Sequence, residues 1–235
     1  MAYYLITGAN RGIGLELTKQ LIKRGDCVVA CCRNPEQAKN LEKIALQTNT
    51  DRFIFYKLDM TRERDITALP HFLKQKAITV VTVILNAGIA EPTEQLGNIT
   101  QQQMLNVLNT NTVGPILMIQ ALTEHLAQSK QNPKIVCISS DLGSISLAAG
   151  LIFGLTYSIS KAALNMGIKK LNSALASRGI SINAIHPGWV QTDLGGQNAT
   201  LTVKQSVVAM LHVIDNLKLE HSGSFIDYMD KEIPW

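Results

Sequence analysis

The sequence is short of the features that mark metal, redox, membrane or nucleic-acid proteins. Its four cysteines, Cys27, Cys31, Cys32 and Cys137, include no Cys-x-x-Cys pair, so zinc and dithiol sites lack the spacing they need. All four lie in apolar runs and are expected to be buried, reduced thiols of a reducing compartment. Lysine and arginine form no run and no stripe interleaved with aromatics. With a net charge of only +4 over 235 residues, nucleic acid is not an expected partner. No apolar run approaches the length of a membrane span. Met1 leads almost directly into the apolar run Tyr3–Thr7, which leaves no room for a signal peptide. A cytoplasmic protein with no membrane partner is the expectation. His186, at a strand's carboxyl end, has no second histidine or partner carboxylate at ligand spacing, so it reads as structural, and no metal is expected.

Against these absences stands a regular alternation. Short apolar runs occur at Tyr3–Thr7, Cys27–Cys32, Phe53–Leu58, Val80–Leu85, Lys134–Ser139, Ile180–Ile185 and Ser224–Tyr228. Between them apolar residues recur at helical period, as in Ile13, Leu17 and Leu21, or Leu164, Ile168, Leu171 and Leu175. Continuous apolar strands separated by amphipathic helices imply a parallel sheet covered on both faces. Seven strands and about six helices, with no repeat and no Pro/Gly/Ser-rich linker, predict one doubly wound α/β domain over residues 1–235. Ligands of such sheets bind at the carboxyl ends of the strands.

The strand exits therefore carry the functional signal. After the first strand comes Gly8-Ala9-Asn10-Arg11-Gly12-Ile13-Gly14, opening a helix. Glycines there let backbone turn tightly and approach a pyrophosphate at a helix N-terminus. No Gly-Lys-Ser/Thr follows, which excludes a P-loop. After the second strand the Asp or Glu that would take a ribose 2′-hydroxyl is missing, and Arg33 stands in its place. Arg33 and Arg11 converging on this corner would grip a 2′-phosphate, which favours NADP(H) over NAD(H). Asp59, before Met60, reads equally as an acceptor for an adenine amino group or as a helix cap. Asn86-Ala87-Gly88 ends the fourth strand with small residues. A helical stretch from about Ile99 to Gln128 contains Asn111 and Pro115. It reads either as a kink or as a place where Asn111 replaces missing backbone bonds and holds a water. Finally, Tyr157 and Lys161 are four residues apart, on one helix face. The ammonium is expected to pull the phenol's pKa down from about 10 toward working pH, suiting it to proton transfer.

Thr7–Gly14, Asn86–Gly88, Asn111, Ser139–Ser140, Tyr157–Lys161 and Pro187–Thr192, in this order, resemble the short-chain dehydrogenases/reductases. The likeness runs over essentially the whole chain. His186–Gly196, Ile226–Trp235 and Cys32–Ala38 look most like the C-factor and sniffer-type carbonyl reductase branch. The resemblance implies a Rossmann-type fold with a seven-stranded, mainly parallel sheet, and NADPH-dependent reduction of a small ketone or aldehyde. It implies Tyr157 as general acid, Lys161 as its tuner and a ribose ligand, Ser140 as holder of the carbonyl oxygen, and Asn111 in a proton relay. Gly8, Asn10, Arg11, Gly12, Ile13, Gly14, Arg33, Asp59, Met60, Asn86, Ala87 and Gly88 would line the adenosine and phosphate half. Pro187, Gly188, Val190 and Thr192 would hold the nicotinamide end. The resemblance allows a homodimer or homotetramer, since helices near Gln101–Gln128 and Thr156–Ser177 form subunit contacts in many relatives, while some carbonyl reductases are monomers. A signalling or nucleotide-sensing role and 3-oxoacyl-carrier-protein reduction are the alternatives. Ser140 lies 17 residues before Tyr157, farther than is usual in the family, whereas Ser144 has the usual spacing. The Ile-Ser-Ser strand-end context favours Ser140, with Ser144–Phe153 as a lengthened loop.

Overall fold

Each apolar run becomes a strand in the computed structural model, which describes residues 2–48, 51–91, 94–129, 131–148 and 154–235. The strands are β1 (Ala2–Thr7), β2 (Cys27–Cys32), β3 (Phe53–Lys57), β4 (Thr79–Leu85), β5 (Lys134–Ile138), β6 (Ser181–His186) and β7 (Phe225–Asp227). They form one sheet in the order β3-β2-β1-β4-β5-β6-β7, and every ladder is parallel. The chain reverses direction across the sheet between β1 and β4, so a crevice opens at their carboxyl ends.

Both faces are covered, which is why the strands read as unbroken apolar runs rather than alternating ones. On one face Leu5, Val29, Val83, Ile135 and Ile182 pack against α3 (Glu63–Gln75), α5 (Gly114–Ala127) and α6 (Leu155–Ala176). On the other, Ile6, Val28, Ile84, Val136 and Ile185 meet α1 (Gly12–Arg24), α2 (Lys39–Gln47) and α7 (Val203–Asn216). The four cysteines are buried and unbridged.

Local sequence explains where the helices start and stop. α4 (Gln101–Leu108) opens on Thr100 and Gln103, and α7 on Thr202 and Gln205, each pair forming a reciprocal capping box. α1 stops at Gly25, whose φ of 103° returns its N–H to the helix's last carbonyls. α4 and α5 are continuous through a π-helical turn at Asn109–Val113, so the single helical stretch expected there counts as two α-helices. Pro115, which cannot donate to the preceding turn, stands at the second position of α5, directly after the π-helical turn. Among the described residues no helix is long and apolar enough to cross a membrane.

Candidate active site

At the exit of β1 the site is made of backbone. Gly8 and Gly12 have φ of 66° and 51°, in the left-handed region where a side chain is strained. Gly14 needs its missing side chain for another reason. A Cβ there would lie 2.3 Å from the Gly8 carbonyl oxygen and 2.6 Å from Asn86 Nδ2. The exit of β4 braces this turn: Asn86 Nδ2 donates to the carbonyls of Thr7 (3.0 Å) and Gly8 (3.3 Å). The Thr7 hydroxyl accepts the N–H groups of Asn86 (3.0 Å) and Ala87 (3.1 Å).

Arg11 stands at the N-cap of α1 in extended conformation, without a side-chain cap and with no acid in the first turn. The first N–H groups of α1 are thus left for an anion, and the close glycine packing gives it room. These residues fit a dinucleotide pyrophosphate. Asn10 is exposed, while Ile13 packs inward.

Arg11 and Arg33 have different surroundings. The Arg11 guanidinium is 2.6 Å from Asp193 on the loop after β6, and the Arg33 side chain is exposed past the end of β2. Arg11 is therefore paired, whereas Arg33 acts on the nearby Asp59 carboxylate. Asp59 turns out to cap a turn: its Oδ1 accepts the Thr61 N–H (3.0 Å) and hydroxyl (2.8 Å). Burial works to raise its carboxyl. The Thr61 bonds, with Arg33 and Arg62, overcome that and hold it below the usual range. Met60 is buried, and its carbonyl lies so near Gly114 that a Cβ on Gly114 would come within 2.4 Å of it.

At the exits of β4 and β5 the site is made of side chains. Tyr157 and Lys161 occupy the first two turns of α6, with Lys161 Nζ 5.5 Å from the phenol ring centroid. Lys161 Nζ donates to the Ile138 carbonyl at 2.7 Å. A Cβ on Gly88 would stand 3.5 Å from Asn111 Oδ1 and 3.7 Å from Lys161 Nζ, so these groups converge. The expected drop in the phenol's pKa does not occur. Burial pushes Tyr157 up to about 12; the Ser140 hydroxyl pulls it back and the Asp141 charge adds to the rise. Burial also brings Lys161 down to about 8. Helical spacing gives the proximity of the pair but not its desolvation, and desolvation is the larger effect here.

Asn111 is fully buried in the π-helical turn. Its Oδ1 accepts the Ile89 N–H (2.9 Å), and its Nδ2 donates to the Ile89 carbonyl (2.8 Å) and to Ser160 Oγ (2.9 Å). The amide thus braces the loop after β4 rather than mending its own helix.

The two candidate serines separate clearly. Ser140 faces the phenol and caps the short turn Asp141–Gly143 by accepting the Leu142 N–H at 3.2 Å. Ser144 is buried and donates to the Pro234 carbonyl. The lengthened loop is thus tied at Ser144, and at Ser146 through the Trp235 carbonyl (2.8 Å). Its residues 149–153 lie outside the described residues.

Beyond β6, Ser206 donates to the Pro187 carbonyl at 2.6 Å, Gly188 takes a φ of 81°, and Val190 is buried. Thr192 Oγ1 accepts the Gly195 N–H at 3.0 Å, and its methyl lies 3.4 Å from where a Gly12 Cβ would be. This loop therefore meets the glycine turn.

Three further residues shape the site. Thr7 braces the glycine turn. Asn165 ties the β5 exit to α6, accepting from Ser139 (2.6 Å) and donating to the Gly143 carbonyl (3.2 Å). Its position one turn past Lys161 was the available signal. Glu94 accepts the Thr156 N–H at 3.0 Å and so caps the helix that carries Tyr157, for which no local signal exists.

The parallel doubly wound sheet with a glycine turn at the exit of β1 defines a Rossmann-type protein. The family model described as short chain dehydrogenase matches residues 2–201. The chain belongs to the short-chain dehydrogenase family and is an oxidoreductase of that type. It is 40% identical over 157 residues to the C-signal of Myxococcus xanthus, an alignment covering 66% of this chain and 93% of that protein. The carbonyl reductase Sniffer of D. melanogaster superposes with a TM-score of 0.93 at 31% identity, with full coverage of both chains. An NADPH-bound carbonyl reductase from chicken fatty liver superposes with a TM-score of 0.91 at 34% identity, covering 99% of this chain and 98% of that one.

Proposed function

We propose that the protein is a single-domain, cytoplasmic, NADPH-dependent carbonyl reductase that converts a ketone or aldehyde to an alcohol. The observation that carries this reading is the Ser140 hydroxyl set against the Tyr157 phenol, with Lys161 beside the ring and the glycine turn across the crevice. NADPH, when bound, supplies the hydride. Gly8, Gly12, Gly14 and the first turn of α1 hold its pyrophosphate, and Arg33 holds the 2′-phosphate.

Ser140 donates a hydrogen bond to the carbonyl oxygen and fixes its position. Tyr157 keeps its proton through neutral pH because burial holds its pKa near 12. It gives that proton to the developing alkoxide, a stronger base than a phenolate. Lys161, anchored on the Ile138 carbonyl, stabilises the phenolate left behind. Asn111 keeps the loop after β4 in place, with Gly88 beside Lys161.

The rim of the site supports an apolar substrate. Leu142, Ile145, Leu147, Trp189, Leu194 and Met229 are exposed large apolar residues on the loops leaving β5, β6 and β7. Purified protein with a panel of apolar ketones and aldehydes is expected to consume NADPH much faster than NADH. Arg33→Ala should weaken NADPH binding about ten- to a hundredfold, from the loss of one charge-assisted contact, with little effect on NADH. Equal use of both cofactors by both proteins would refute the assignment of Arg33.

The likeness to the C-signal supports a second reading, a signalling or nucleotide-sensing role. Complementing a deletion strain with Tyr157→Phe distinguishes the two. Full rescue would favour signalling, and failure would favour catalysis.

A further inference from the structure

We infer that His186 is a positioning residue for Ser140, holding the turn that aims the serine hydroxyl at Tyr157, and that only its neutral imidazole does so. This rests on the reading of Ser140 as the group that holds the carbonyl oxygen. His186 ends β6, one strand over from Ser140, and its ring is largely buried. Its Nδ1 accepts the Asp141 N–H at 3.2 Å. That bond needs the Nδ1 lone pair, so the ring proton sits on Nε2.

The turn that begins at Asp141 orders the serine. Asp141 Oδ1 accepts both the Ser140 hydroxyl (3.0 Å) and the Leu142 N–H (2.9 Å), while Ser140 Oγ accepts the same Leu142 N–H at 3.2 Å. The imidazole is thus two hydrogen bonds from the Ser140 hydroxyl, with Asp141 between them.

Protonating the ring removes the acceptor. The Asp141 N–H would then face an N–H donor, and Asp141 Oδ1, 3.6 Å from Nδ1, is a carboxylate oxygen within ion-pair reach of the new proton. That oxygen accepts the Ser140 hydroxyl until a substrate carbonyl takes its place, so the change reaches Ser140 directly. The charged groups around the ring are Asp141 on the turn after β5 and Asp227, its register partner on β7. Asp227 Oδ1 is engaged by the N–H groups of Met229 (2.7 Å) and Lys231 (2.9 Å). Burial holds the imidazole below its ordinary pKa, with both carboxylates working against the shift. The neutral ring is therefore the resting form at neutral pH, and loss of the positioning falls on the acid side.

The test combines the pH dependence of kcat with nitrogen-15 NMR of the full chain, for the parent, His186→Asn and His186→Ala. Asparagine offers an oxygen near the Nδ1 position but does not titrate; alanine offers nothing. His186→Ala is expected to lower kcat about tenfold at neutral pH with the Kd for NADPH unchanged, as for a small misplacement of a reacting group. His186→Asn should recover most of that turnover and lack the acid-side limb of the parent. In the parent spectrum the Asp141 amide should shift with the His186 ring as it titrates, and the ring should be the Nε2–H tautomer.

An unchanged acid limb in His186→Asn, parent-like turnover in His186→Ala, or an Asp141 amide indifferent to the ring would each overturn the inference. If no carbonyl compound is reduced by the parent, the proposed function fails instead. The NMR titration still decides whether His186 holds the turn, and His186→Asn carries the test should His186→Ala not fold.

Discussion

At the exit of β1 the site is built from backbone, and at the exits of β4 and β5 it is built from buried polar side chains. The first half consists of left-handed glycines, uncapped helix N–H groups and a brace from Asn86. Its side chains matter chiefly by being absent. The second half places Asn111, Ser140 and Lys161 among buried residues with Tyr157 half-buried beside them, and burial sets the pKa directions of Tyr157 and Lys161. The nucleotide half should therefore fail through added atoms, and the catalytic half through removed ones.

Adding one carbon to the first half should have the largest effect. Gly14→Ala puts a Cβ 2.3 Å from the Gly8 carbonyl oxygen, so NADPH binding, followed by fluorescence titration, should be abolished. Retained binding would break the comparison at its strongest point. Removing one oxygen from the second half comes next. Ser140→Ala should lower kcat about a hundredfold or more, the cost of an oxyanion donor, with NADPH affinity intact. Ser144→Ala should leave kcat alone and cost about 1 kcal/mol in denaturant unfolding, through its lost bond to Pro234. Reversed effects would move the catalytic assignment to Ser144.

The smallest effect concerns stability. The folded pKa of Lys161 is about 8, against its ordinary 10.5. Between those values the unfolded chain binds the extra proton, so this group's contribution to stability rises with pH across the window. Below about pH 8 lysine is protonated in both states and the burial penalty is carried in full. The denaturation midpoint of the parent relative to Lys161→Met should climb from pH 8 toward pH 10.5. A flat difference would show that Lys161 is not desolvated.

The same contrast explains what was legible in the sequence. A backbone requirement appears directly as glycine at fixed spacing, so the turn at Gly8–Gly14 could be read from one line of residues. The strands were legible because double burial leaves continuous apolar runs; β6 lies one residue later than expected, at Ser181–His186. The side-chain half depends on contacts distant in the chain. Ser144 meets Pro234 across 90 residues, Thr156 meets Glu94 across 62, and Asn111 meets Ser160 across 49. Local spacing cannot report those partners, nor the burial that reverses the expected shift of Tyr157. The four-residue step from Tyr157 to Lys161 was visible; the dryness around it was not.

The account turns on whether the Tyr157 proton is the one delivered in reduction. The direct measurement is single-turnover NADPH oxidation by the parent and Tyr157→Phe with one reactive ketone, with the NADPH Kd determined for both. The account predicts equal Kd values and a loss in rate of about a hundredfold or more for Tyr157→Phe. Equal rates at equal Kd would contradict it.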